Sequence, residues 1–370
     1  MNIKKNLAII GASYLQLPLI QKAKELGYTT HVFAWAANDV GEKEADFFYP
    51  ISIIEKDKIL AKCKELNICG ICSIASDLAA ITVNFVAENL GLPCNKTEFV
   101  PIQTNKYKMR TALMNAEIPC PKFILADENF TTEQIKDFSY PIIVKPTDRS
   151  GSRCITKLEN PDGIYEAIKA ASNVSFEKKA IVEEFIEGDE YSMETVTQNG
   201  VHNYLATTKK FTTGSPNFIE TGHRQPCGLP DNIQQKAISH IMKALDALHI
   251  ENSAGHSEFK VDENGNIRII EIGARMGGDC IGSDLVYLST GHDFVKMVID
   301  IAVGKPIEFN PVPTNHTVEV HFLLTQEDIN EMYRLKAEHP EKIYRISPLE
   351  LENLGKTEDS GTRVGCYITL

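Results

Sequence analysis

Between Asn6 and Gly91, short apolar runs of strand length alternate with amphipathic runs of helix length, and Gly27 and Gly91 close two of the helical runs. Strands joined by helices cannot form hairpins. Each crossover returns the chain in the same direction, so the pattern predicts a parallel sheet. Strands are expected over 6–11, 29–33 and 70–74, and helices over 17–26, 56–66 and 78–89. A glycine turn follows the first strand, but Gly11-Ala12-Ser13-Tyr14-Leu15-Gln16 lacks the second and third glycines of a dinucleotide fingerprint, which argues against a dehydrogenase.

At 370 residues the chain exceeds the size at which one core keeps growing. Pro93 ends the parallel unit. The later pattern divides into a small α+β lobe, a larger lobe and a strand-rich tail, which gives segments 1–100, 101–187, 188–305 and 306–370. A net charge of −12, with no run of Lys and Arg among aromatics, argues against nucleic acid as a partner. The apolar run before Gly11 is too short for a signal peptide or a membrane span, so a cytoplasmic protein without membrane attachment is expected. The nine cysteines then read as reduced thiols. Cys69 and Cys72, in the apolar run Ile68-Cys69-Gly70-Ile71-Cys72, read as strand core and not as metal ligands.

Two later strands, over 257–261 and 267–272, flank Asp262-Glu263-Asn264-Gly265-Asn266, and Asn-Gly is a strong hairpin signal. Cross-strand pairing would bring Glu258 and Glu271 to one spot. Strict alternation puts Glu258 on the face of His256 and Lys260, and Glu271 on that of Ile269 and Gly273. Two carboxylates held together repel unless a cation lies between them, and Mg²⁺ takes a few carboxylate oxygens along with the phosphates of a nucleotide. For this stretch alone a hairpin with two solvated glutamates stays open, and His256 reads as a structural histidine.

Upstream, Lys145 ends the apolar strand 142–145 and points at the polar loop 147–154. Small residues there, Ser150, Gly151 and Ser152, let backbone N–H groups approach a phosphate, and the neighbouring cations offset its charge. A strand over 180–186 then leaves through Glu183-Glu184-Phe185-Ile186-Glu187-Gly188-Asp189-Glu190. Phe185 and Ile186 offer backbone groups and apolar walls to an adenine ring, and Glu190 a carboxylate to a ribose.

In this order, Lys106, Lys145 with its loop, Glu183 to Glu190, and Glu258 with Glu271 to Arg275 resemble the ATP-grasp superfamily. The first hundred residues are similar to the pre-ATP-grasp domain that precedes its catalytic lobes. The resemblance implies an α/β and α+β fold class: an N-terminal parallel-sheet domain followed by a two-lobed ATP-grasp fold with ATP between the lobes. It implies that Lys106 and Lys145 contact phosphates under the loop 147–154, that Glu183, Glu184, Phe185 and Ile186 frame adenine, and that Glu190 meets the ribose. It further implies that Glu258 and Glu271 bind Mg²⁺, or Mn²⁺ in its place, and that Arg275 stabilises an acyl phosphate or orients a carboxylate.

Two positions depart from the superfamily pattern. Gly273 stands in Glu271-Ile272-Gly273-Ala274-Arg275 where an asparagine is usual, and Asn105 stands where an aspartate commonly precedes the lysine.

The run Arg275-Met276-Gly277-Gly278-Asp279, before a helix expected over 284–288, looks most like the carboxylate–amine ligases that include L-amino-acid ligases. So do the runs around His223 and His256. His223 and Arg275 are expected to line the substrate pocket. The implied activity is an ADP-forming ligation of a small carboxylic or amino acid to an amine. A purine-biosynthesis or carbamoyl-phosphate-type ligase and a nucleotide-binding regulator without turnover stay open, as does assembly into homodimers.

Overall fold

The computed structural model describes residues 5–149, 154–214, 218–309, 311, 314, 316–356 and 360–370. Its strands fall into three sheets in chain order. The first holds β1 (Asn6–Ile10), β2 (Thr29–Phe33), β3 (Phe47–Tyr49) and β4 (Gly70–Cys72), all parallel, in the order β3-β2-β1-β4. Three of these strands and the helices Leu17–Glu25, Lys56–Leu66 and Asp77–Leu90 follow the expected alternation. The helix Val40–Glu44 and β3 do not, because runs of five and three residues are too short to show a period. Ser76 starts the helix Asp77–Leu90, its hydroxyl accepting from Ala79 N–H at 3.2 Å.

The second sheet is antiparallel: β5 (Phe123–Ala126), β6 (Ile142–Pro146), β7 (Thr156–Leu158) and β8 (Ala180–Glu184), in the order β5-β8-β6-β7. The helix Ile164–Val174 lays Ile164, Ala167, Ile168 and Ala171 against it, the one-sided spacing of an amphipathic helix. Between β5 and β6 the chain makes a single 3₁₀ turn, Thr132–Ile135.

The third sheet carries β9 (Asp189–Gln198), β10 (Val201–Thr212), β11 (Glu220–Gln225), β12 (Ser253–Val261), β13 (Ile267–Gly273), β14 (Val318–Leu323), β15 (Ile343–Ile346) and β16 (Gly365–Thr369). Their order is β13-β12-β9-β10-β11-β14-β16-β15. Strands from the tail thus complete the sheet begun at β9. The tail also holds a helix that the strand-rich expectation did not contain, Gln326–Glu338, capped by Thr325 and Asp328. The helix expected over 284–288 begins instead as a π turn, Ile281–Leu285, and continues as the helix Val286–Thr290.

The helix Phe294–Ala302 is buried along nearly its whole length. It belongs to one core that joins Leu7 and Ile9 of the first sheet to Val196, Leu205 and Ala254 of the third. Among the described residues no helix is long and apolar enough to cross a membrane.

Candidate active site

Glu258 and Glu271 stand directly opposite each other across the β12–β13 pair. The register slips just after this pair, so that Phe259 faces Ile269 and Ile270 is the extra residue. This corrects the alternation expected from sequence. Ile269 is buried in the core beside Phe259, while Glu271 turns to the opposite side with Glu258. The bulge is what lets both carboxylates share one face.

Each carboxylate meets a lysine from elsewhere in the chain. Asn105 caps the helix Lys106–Asn115 by accepting from Lys108 N–H, which sets Lys106 at its first position. The Lys106 ammonium lies 2.8 Å from Glu271 Oε1 and donates to the Arg149 carbonyl at 2.7 Å. On β10, Lys210 Nζ lies 2.5 Å from Glu258, 3.1 Å from Glu190 and 3.6 Å from Glu220. Burial alone would lower the Lys210 ammonium, but these three carboxylates hold it well above its ordinary value. Burial pushes the Glu258 carboxyl up, and Lys210 with His256 outweighs this and holds it well below the usual range.

A second buried cluster underlies the lobe. Lys145 at the end of β6 pairs with Glu183 at 2.5 Å, and Arg110, one helical turn beyond Lys106, approaches the other Glu183 oxygen at 2.7 Å. Burial pushes the Glu183 carboxyl up, and the two cations more than reverse it. Burial lowers the Lys145 ammonium despite Glu183. Glu183 therefore serves as the counter-charge beneath Lys145.

Beyond β8, Phe185 N–H already donates to Pro141 C=O at 2.9 Å, and the Glu184 carboxylate accepts from Ser139 N–H at 2.8 Å. A ring edge would have to be met by Ile186 and not by the Phe185 amide expected from sequence. Ile143, Phe185, Ile186 and Ile270 give this end of the cavity its apolar walls. Ser150, Gly151 and Ser152 lie outside the described residues.

At the other end, Asp77 reaches in from the first domain to grip Arg275, with Nε to Oδ1 at 2.9 Å and Nη2 to Oδ2 at 3.4 Å. Burial would raise the Asp77 carboxyl; Arg275 holds it below its ordinary value. A side chain at Gly273 would meet this pair, since its Cβ would sit 3.2 Å from Arg275 and from Asp77. The space an asparagine would need at 273 is thus taken by an ion pair. Buried His256 donates toward Glu194 at 2.5 Å, and although burial would lower it, Glu194 raises it to about 9. Gly277 N–H also donates to Glu194, at 3.2 Å. His223 is held neutral, pushed down to about 3 by burial and by Lys210.

These groups line one cavity of about 460 Å³. Every described residue expected at the site borders it: Lys106, Lys145, Glu183, Glu184, Phe185, Ile186, Glu190, His223, Glu258, Glu271 and Arg275. Sequence reasoning missed Lys210, Asp77 and Arg363, which converge on it from three distant segments. Among the described residues no three His, Cys, Asp or Glu side chains are grouped to hold a metal ion. The donor set is two carboxylates, each already charge-balanced by a lysine. Such a pair fits a hard cation that completes its shell with water and phosphate oxygens, and does not fit an all-protein metal cage.

The cavity is lined by lysines and paired carboxylates, and the stretch of chain over residues 138–284 matches the model of the ATP-grasp domain. More narrowly, the chain is similar to alanine–anticapsin ligase of Bacillus subtilis, with 29% identity over 292 residues covering 70% of this chain. The match covers 61% of that relative's length, less than two thirds of it. The structure of L-amino acid ligase from Bacillus licheniformis covers 99% of this chain and 93% of its own, with a TM-score of 0.82 and 23% identity. N5-carboxyaminoimidazole synthetase from Staphylococcus aureus complexed with ADP covers 100% and 94%, with a TM-score of 0.79 and 16% identity. At these identities the two structures share the fold.

Proposed function

We propose that the protein is an ATP-dependent, ADP-forming ligase that activates a small carboxylic or amino acid as an acyl phosphate and joins it to an amine. The observation that carries this reading is the direct pairing of Glu258 with Glu271 in a cavity that also receives Lys106, Lys145 and Arg275. Phosphoryl transfer asks a protein for positioning and charge neutralisation, which such a site supplies without a protein nucleophile.

In this reading Lys106 and Lys145 hold phosphate oxygens. Ile186, with the walls of Phe185 and Ile143, receives the adenine, and Glu190 the ribose. Arg275, fixed by Asp77, faces the carboxylate being activated, and neutral His223 lines the acid's pocket. Mg²⁺ on Glu258 and Glu271 would supply charge neutralisation between the phosphates; Mn²⁺ has the same oxygen preference. The similarity to alanine–anticapsin ligase supports a small amino acid among the substrates. The net charge of −12 supports small-molecule partners over a nucleic acid, and the reading places the protein in the cytoplasm without membrane attachment.

Incubation with ATP, Mg²⁺ and pooled amino acids tests the proposal by ADP and phosphate release. Release that depends on a particular acid and amine is expected; no release above the protein-free rate with any pair would end it.

A further inference from the structure

Arg363, just before β16, is one charged side chain at the cavity for which the phosphate site has no use. It is 8% exposed and borders the cavity. Its Nη2 donates to Asp279 at 2.7 Å and its Nε to the Ser360 carbonyl at 2.8 Å. The guanidinium lies over the Phe322 ring at 3.7 Å. Its remaining nitrogen, Nη1, is buried with no hydrogen-bond partner among the described residues. A buried guanidinium fixed on two of its three nitrogens presents the third for an acceptor that is not protein.

The chemistry around that nitrogen narrows the acceptor. Phe322 closes one face of the guanidinium, and Asp279 beside it and Glu220 both border the cavity as carboxylates. Glu220 accepts from Ser360 Oγ. A cation with a vacant donor beside two carboxylates, of which Glu220 is shared with Lys210 at 3.6 Å, is the complement of a small zwitterion: a carboxylate for Arg363 and an ammonium for Asp279 and Glu220. A phosphate would meet these two carboxylates as repulsion.

Strand order also separates this corner from the acidic pair. Glu258 and Glu271 sit on β12 and β13, at one end of the sheet, whereas Phe322 lies on β14 and Arg363 leads into β16.

We propose that Arg363 and Asp279 form the recognition site for the α-carboxylate and α-ammonium of an amino acid whose carboxylate is not the one activated, namely the amine acceptor. The assignment to the acceptor rests on the ligase reading above; the zwitterion site itself does not. The tail 306–370 then contributes a substrate-reading residue as well as strands.

Calorimetric titration of the full chain with individual L-α-amino acids, with their α-carboxamides and, separately, with Mg-ADP tests this. The expected result is that at least one amino acid binds, that its carboxamide binds about 10- to 100-fold more weakly, and that Arg363→Met abolishes the difference while Mg-ADP binds as before. Failure of every amino acid to bind the parent, a carboxamide that binds as well as its acid, or a gap that persists in Arg363→Met would overturn the proposal. Should Arg363→Met misfold, seen as lost Mg-ADP binding, Arg363→Lys decides, since it keeps the charge and loses the planar fork. A gap narrowed by about threefold or more supports the site, and an unchanged gap overturns it. Amino-acid binding without Mg-ADP binding would sink the ligase reading and leave this site standing; the converse would sink this site alone.

Discussion

Glu183 illustrates what a single buried charge commits the protein to. It is 3% exposed and carries Lys145 on one oxygen and Arg110 near the other. Glu183→Gln would leave two buried cations short of their counter-charge, a loss of about 3–5 kcal/mol measurable by urea unfolding. The sign with pH follows from its depressed carboxyl. Its contribution is complete above the unfolded carboxyl value near 4.3 and declines as pH falls through the lower folded value, so the parent should lose stability below about pH 4 along a slope that Glu183→Gln lacks. Acid titrations followed by circular dichroism on both proteins would show this, and parallel curves would refute it. At Glu258 and Glu271 the expectation under the proposed function is kinetic. Glu258→Gln or Glu271→Gln should lower ADP formation by about 100-fold or more, with the fold intact, because each removes charge aimed at the reacting phosphates. Retention of full turnover in either variant would remove the pair from the chemistry.

Secondary elements explain why some of this was legible and some was not. The Asn264-Gly265 turn sits between strands long enough to show alternation, so the hairpin could be read directly, and Gly265 has the left-handed φ of 75° that the turn asks for. The bulge at Ile270 could not be read, since no local residue preference marks a one-residue register slip. Lys210 was hidden for a related reason: Lys209 and Lys210 are adjacent on β10, and only packing decides that Lys210 is the one turned inward. Asp77 and Arg363 lie 198 and 88 residues from Arg275, beyond any window of sequence periodicity. The helix Gln326–Glu338 did leave a signal, since Thr325 and Asp328 form a capping pair, and Thr325→Ala should cost about 1 kcal/mol of stability while leaving Mg-ADP affinity unchanged. Gly277 belongs to a tighter junction. A Cβ there would sit 2.7 Å from His256 Nδ1 and 3.0 Å from Glu194, so Gly277→Ala should destabilise the fold by about 1–3 kcal/mol in thermal unfolding. A neutral result would mean that the loop after β13 yields freely.

On the scale of the molecule, the cavity draws on the first domain and on the second and third sheets. Asp77 comes from the helix after β4, Lys145 and Glu183 from the second sheet, and Glu258, Glu271, Lys210 and His223 from the third. The large core that joins the first and third sheets through the helix Phe294–Ala302 includes no residue of the second sheet, whose own core is built from β5–β8 and the helix Ile164–Val174. Polar contacts at the site tie the second sheet to the rest, among them Lys106 N–H to Thr147 C=O at 2.7 Å and Arg110 to Glu183. Such contacts are the ones a bound nucleotide would reinforce. Saturation with Mg-ADP at about 100 times its Kd should stabilise the whole by about 2.7 kcal/mol. Hydrogen exchange should slow in two places together, at β6 and β8 and at the β12–β13 hairpin, because one ligand would bridge both sheets. Slowing confined to the third sheet would mean that nucleotide binds without engaging Lys145, and slowing confined to the second that it never reaches Glu258 and Glu271.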